Sequence, residues 1–191
     1  FQVGANGFEL GSEGPFKKGG RASYMFNYRY STLEIFQTLG IDLGTGTSIP
    51  EYQDVTFKLN FPSKKYGNFS VFGIGGISTI DFKIDTSETN LFSGENEESL
   101  FKSRTGIIGV THKYFFNPSM FSKISLVATT TTSGGEVDST GFNTSEFTKL
   151  ARFDRSLATY SAHFKLNKKV NVRNSWNVGV IGRMYAIDFT D

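Results

Sequence analysis

Residues able to do acid–base or metal chemistry are few in this chain and do not converge. The two histidines, His112 and His163, lie far apart, and neither has a second ligand at metal-binding spacing. Ser161 and His163 stand two residues apart in a strand-like run and so share a face. A hydrolytic triad also needs a third, orienting polar group, and i, i+2 neighbours are commonplace in strands. Gly73, Gly75 and Gly76 look superficially like a phosphate-cradling loop, but no G-x-x-x-x-G-K-[ST] order follows and no helix begins there. They read instead as positions where a strand bends or packs closely. Glu95, Glu97 and Glu98 lack the order of a calcium loop and read as solvated surface. With no cysteine, thiolate catalysis, thiolate metal sites and disulfides are all excluded. We therefore expect a protein that is not an enzyme and carries no metal or cofactor.

Charge removes another class of function. The 191 residues hold 20 Lys and Arg against 18 Asp and Glu, with no basic block able to neutralise a phosphate backbone. Nucleic acid is not an expected partner. No stretch approaches the ~20 apolar residues of a membrane-spanning helix. The chain opens on Phe1 and stops at Asp191 within a strand-like run, which leads us to expect a piece of something longer.

The elements that must carry these residues are strands. Gly at 21 positions, together with β-branched and aromatic residues, leaves little room for helix. Ala22, Tyr24, Phe26, Tyr28 and Tyr30 alternate with polar or cationic residues, with Met25 as the exception. Val55 to Phe61 and Ala158 to Leu166 repeat the pattern, with weaker copies at Phe8–Leu10, Ile124–Ala128 and Trp176–Val180. Period-2 alternation of this kind predicts about eight two-faced strands in one antiparallel up-and-down meander. One short helix is expected over 32–40, where Leu33, Phe36 and Leu39 are at helical spacing between a capping Thr and a terminating Gly.

The connections carry the strongest signal. Short turns are expected at 15–20, 62–68, 117–120 and 167–171, and long polar links at 32–50, 86–99 and 133–149, in strict alternation. In a meander, every second connection lies at the same end, so one end should have tight turns and the other long loops. Transmembrane barrels are built this way, and Greek-key sandwiches have less reason to be. Aromatics near strand ends, as at Tyr114 to Phe116 and Trp176, suit the boundary between headgroups and hydrocarbon. Arg29, Lys58, Asn60, His163, Lys165 and Arg183 fall on the polar side and are the candidate ligand contacts of a wet lumen.

The segments Gly7-Phe8-Glu9-Leu10, Glu13-Gly14-Pro15-Phe16, Ala22-Ser23-Tyr24 and Asn27 to Ser31 resemble the barrel of TonB-dependent outer-membrane receptors. Tyr52-Gln53-Asp54, Phe57 to Asn60 and Phe72 to Gly76 continue the resemblance, which covers residues 1 to about 85 and narrows to the branch with a carboxypeptidase-regulatory-like domain ahead of the plug. What the resemblance implies is a bacterial outer-membrane barrel of about twenty-two strands with an internal plug, importing a bulky nutrient or metal chelate. Its implied partners are outer-membrane lipid, the TonB complex through the parent protein's N-terminal part, a surface lipoprotein and a small-molecule or oligomeric nutrient. Residues 1–191 would be a partial barrel domain, since plug, TonB-contacting box and signal peptide have no counterpart in this chain. Two other readings remain: a complete small eight-stranded barrel with a structural or adhesion role, and a soluble β-sandwich or lipocalin-like binder.

Overall fold

The computed structural model describes residues 2–4, 7–31, 50–82, 97–140 and 147–190. They form one antiparallel sheet of nine strands in simple sequence order. The strands are β1 (Gln2–Gly4), β2 (Gly7–Pro15), β3 (Ser23–Tyr30), β4 (Pro50–Ser63), β5 (Gly67–Phe82), β6 (Glu97–Asn117), β7 (Met120–Thr140), β8 (Phe147–Lys169) and β9 (Ser175–Thr190). The fold is thus the expected all-β up-and-down meander, and the three-residue β1 adds one strand to the eight read from the alternation. Nothing pairs β1 with β9 among the described residues, so the sheet is open at both edges.

Register shows how well the period-2 reading works. Tyr28 pairs with Val55, Phe26 with Phe57 and Tyr24 with Leu59. Farther along, Ala128 pairs with Tyr160, Leu126 with Ala162 and Ile124 with Phe164. Directly opposed residues share a face, so every apolar series named from the sequence lands on one side of the sheet. That side has no cover: no apolar residue is buried among those described, and Leu126, Ile108, Tyr160, Val180 and Met184 are half exposed or more. A sandwich would cover such a face with a second sheet of protein. Among the described residues there is a single sheet and no second layer.

The apolar side is a band with limits. On β9 it runs from Trp176 through Val178, Val180 and Met184 to Ala186, then gives way to Asp188. Ten residues advance about 33 Å along a strand, or about 25 Å of height at a tilt near 40°. Above the band, β6, β7 and β8 continue as paired strands, with Arg104, Lys102, Glu136, Arg152 and Asp154 on the same side. Arg152 there bridges Asp154 at 3.1 Å and Glu136 at 3.7 Å.

This overhang corrects two expected links. Residues 133–140 and 147–149 are strand, which reduces the 133–149 link to 141–146, and β6 already begins at Glu97. The side that is apolar lower down is hydrophilic here, whereas Phe82, Phe101 and Phe153 cluster on the other side over Gly135, and within 133–140 itself only Val137 is apolar, so that stretch shows no apolar alternation. The alternation of short and long connections survives at 31–49 and 83–96 and is lost between β7 and β8. The last turn sits at 170–174, three residues later than expected. The helix expected over 32–40 lies outside the described residues, as does Glu95.

Candidate functional site

The other face of the sheet is where recognition chemistry gathers. Glycine placement sets its shape at two points. Gly67 begins β5 at φ +80°, a left-handed conformation that a side chain strains, and so closes the tight turn after Ser63. Gly109 is buried on the polar face because the Phe72 ring lies over it, and a Cβ there would clash with that ring. Gly73 plays the same part beneath Phe57 on the apolar face, so its role is packing.

All six residues singled out from the sequence fall on this polar face. Arg29 pairs with Asp54, and Asn60 with Ser70. Lys58 and Arg183 belong to a single row that crosses Phe72, Gly109, Val127 and Ser161. His163 opposes Ser125, and Lys165 opposes Lys123. His112 goes to the apolar side, where it stacks on Phe69 with ring centroids 4.2 Å apart and contacts the Tyr66 carbonyl at 2.7 Å. The two histidines therefore face opposite ways.

Two patches of different character emerge. Toward β2–β4 the charges are matched: Arg29 donates to Asp54 at 2.8 Å and lies 5.3 Å from the centre of the Tyr52 ring, while Asn27 donates to Glu9. Neutral cross-strand pairs, Ser70 donating to Asn60 at 2.9 Å and Thr111 with Ser125 at 3.4 Å, continue this order.

Toward β6–β8 the charges are unmatched. Lys113 pairs directly with Lys123, and Lys123 with Lys165, giving a row of three ammonium groups across three strands. Like charges placed opposite each other destabilise a sheet. The Lys113 ammonium is held over two rings, 4.6 Å from Phe115 and 4.2 Å from Phe121. Among the described residues, the rows on either side supply Asn60, Ser70, Thr111, Ser125, His163, Phe115, Phe121 and Asn167, and no carboxylate.

The nearby turns deepen the imbalance. Lys17, Lys18 and Arg21 sit in the first, Lys64 and Lys65 in the second, and Lys168, Lys169 and Arg173 at the last, with no Asp or Glu in 16–22, 64–66, 118–119 or 170–174. A chain of near-neutral net charge is thus strongly cationic at its short-turn end.

Sequence reasoning missed Lys113 and Lys123. The signal was present, since counting back equally from the two-residue turn Pro118-Ser119, with one residue of slack for the bulge at Phe115/Asn117, aligns them. Ser161 and His163 share the face as expected, but their cross-strand neighbours are Val127 and Arg183, and Ser125 and Ile181, so no carboxylate orients the imidazole from the paired strands. No group of three or more His, Asp or Glu gathers as a metal site among the described residues. Comparison with protein-family models, characterised proteins and solved structures finds no match to this chain.

Proposed function

We propose that this chain is part of the wall of an outer-membrane β-barrel, that of a TonB-dependent receptor importing a bulky nutrient or metal chelate. One observation carries the membrane part: a single sheet with an uncovered apolar band of bilayer height on one side, while the charged and hydrogen-bonding strand residues gather on the other, interspersed there with Ile74, Ile181, Tyr185 and Ile187. Hydrocarbon solvates the band, water fills the bore, and the polar overhang of β6–β8 rises above the outer surface.

The open edges support a barrel larger than this chain. A strand edge inside hydrocarbon leaves NH and CO groups unpaired, each costing several kcal/mol. β9, with 16 residues, needs a neighbour on its far side. A small eight-stranded closure is disfavoured by the lysine row, because an interior just wide enough for side chains would crowd Lys113, Lys123 and Lys165, whose flanking rows supply no carboxylate among the described residues. The receptor identity rests on the resemblance of residues 1 to about 85, and with it come the TonB complex, a surface lipoprotein and the nutrient as partners.

The absence of cysteine makes the test clean. Single cysteines are placed at Ser125, Leu126, Val127 and Ala128 in vesicle-reconstituted protein and challenged with a charged, water-soluble maleimide. Ser125→Cys and Val127→Cys should label, whereas Leu126→Cys and Ala128→Cys should not. Equal labelling at all four positions refutes the membrane reading. For the receptor part, cells carrying the parent protein should lose uptake when TonB is removed, and unchanged uptake refutes energised import.

A further inference from the structure

We propose that the row Lys113–Lys123–Lys165 binds a small multivalent anion carrying phosphate or carboxylate groups. The inference rests on the reading of that face as the wet one. Three lysines in direct register are an arrangement that a sheet avoids without a counter-charge, and the surrounding rows supply none. The lysines line a concavity of about 640 Å³ together with Lys58, and its wall adds the amides of Asn60 and Asn68 and the hydroxyls of Ser70 and Thr111, which already hydrogen-bond Asn60 and Ser125. Four cations and two side-chain amides, with Phe72 and Phe121 beside them and no carboxylate in the lining, match a compact polyanion.

The geometry also favours a small ligand over an extended one. The row is three strands wide, and Lys165 opposes Gly179 on β9, so the site ends there without a further side chain. Lys113 is fixed by its two phenyl rings, whereas Lys123 and Lys165 are exposed and free to swing their heads toward a common point. Flexible ammonium groups recognise charge without demanding the planar, two-pronged geometry of guanidinium. The basic turns below would draw anions toward this mouth, raising their local concentration as a one-signed lining does.

Pyrophosphate is the probe, titrated calorimetrically into the protein in zwitterionic detergent. Each of Lys113→Gln, Lys123→Gln and Lys165→Gln should weaken binding by about 3- to 10-fold, and the triple variant by about 30- to 1000-fold, as expected for charge-assisted hydrogen bonds. Lys123→Arg should stay within about 3-fold of the parent chain, because the charge is retained. The rim variant Lys17→Gln/Lys18→Gln should change affinity less than about 2-fold at physiological salt, where screening is short-ranged.

Unchanged Trp176 emission certifies folding in each variant. Equal losses at rim and row would show diffuse attraction only and overturn the site. Binding of an oligo-glutamate peptide or of anionic phospholipid with none of pyrophosphate would overturn it in favour of a macromolecular or lipid partner. The maleimide pattern at Ser125 and Leu126 reports separately on which face is wet, so failure of the site and failure of the membrane reading are distinguishable.

Discussion

Placing arginine at Leu126 tests the membrane reading at its centre. Leu126 faces the apolar side between Val110 and Ala162 and is 55% exposed. On β7 and β8 the band extends from the Leu166 row to the Ala158 row, which puts Leu126 at its middle. Thr132 lies on the same side, six residues up the same strand and already among charged neighbours. That spacing is about 20 Å along the strand, or about 15 Å of height after tilt, which carries Thr132 beyond half of a band about 25 Å tall. Arginine at mid-bilayer costs about 2–4 kcal/mol and near the interface about 0–1 kcal/mol. Leu126→Arg should therefore shift the folding equilibrium by about 30- to 1000-fold, against less than about 6-fold for Thr132→Arg.

The assay is urea unfolding from phospholipid vesicles, followed by the emission of Trp176. This single tryptophan sits at the foot of the same apolar side, so it reports insertion directly. Val127→Arg, one residue away on the polar face, should cost less than about 1 kcal/mol, in the range of ordinary surface substitutions. If Leu126→Arg and Thr132→Arg differ by less than about 0.5 kcal/mol, the band does not meet hydrocarbon.

Gly67→Ala should lower stability by about 1–2 kcal/mol, because φ +80° strains an L-residue and the new Cβ would approach the Lys113 carbonyl; denaturant midpoints measure this. Gly73→Ala should also destabilise, by about 1–3 kcal/mol, and pairing it with Phe57→Leu should recover part of the loss, since the clash is with the Phe57 ring. Additive losses in that pair would show that the ring is not the obstacle. A double-mutant cycle on Arg29 and Asp54 should give a coupling of only about 0.2–1 kcal/mol despite the 2.8 Å contact, because the arginine side chain is 53% exposed. A coupling above about 2 kcal/mol would mean that this patch is drier than its exposure indicates.

Legibility in the sequence followed the environment of each strand. Where one side is apolar and the other wet, as at Tyr24 to Tyr30 or Ala158 to Leu166, alternation specified both strand and face. It therefore put Arg29, Lys58, Asn60, His163, Lys165 and Arg183 on one side before any register was known. At 133–140 small and polar residues occupy both sides, Gly135 lying under Phe101 and Phe153, so the pattern has no amplitude and this polar strand is indistinguishable from a loop. The lysine row was hidden for a different reason. Lys113 and Lys123 lie on different strands, and only pairing brings them together. A tight turn holds that pairing information, but a bulge beside it shifts the count by one.

The uneven distribution of charge along the strand axis bears on how such a wall is assembled. In the proposed orientation the tight turns remain on the side from which the hairpins enter the bilayer, and only the opposite ends traverse it. Carrying Lys or Arg through hydrocarbon is costlier than carrying Asp or Glu. The turns that stay behind hold Lys17, Lys18, Lys64, Lys65, Lys168 and Lys169 and no carboxylate, while the opposite end mixes both signs, with Glu97, Glu98, Glu136 and Asp154 among its acids. Lys102, Arg104, Arg152 and Arg155 do make that crossing, alongside Glu136 and Asp154, so moving the turn lysines to the same end would add to a cationic load already present and should slow insertion.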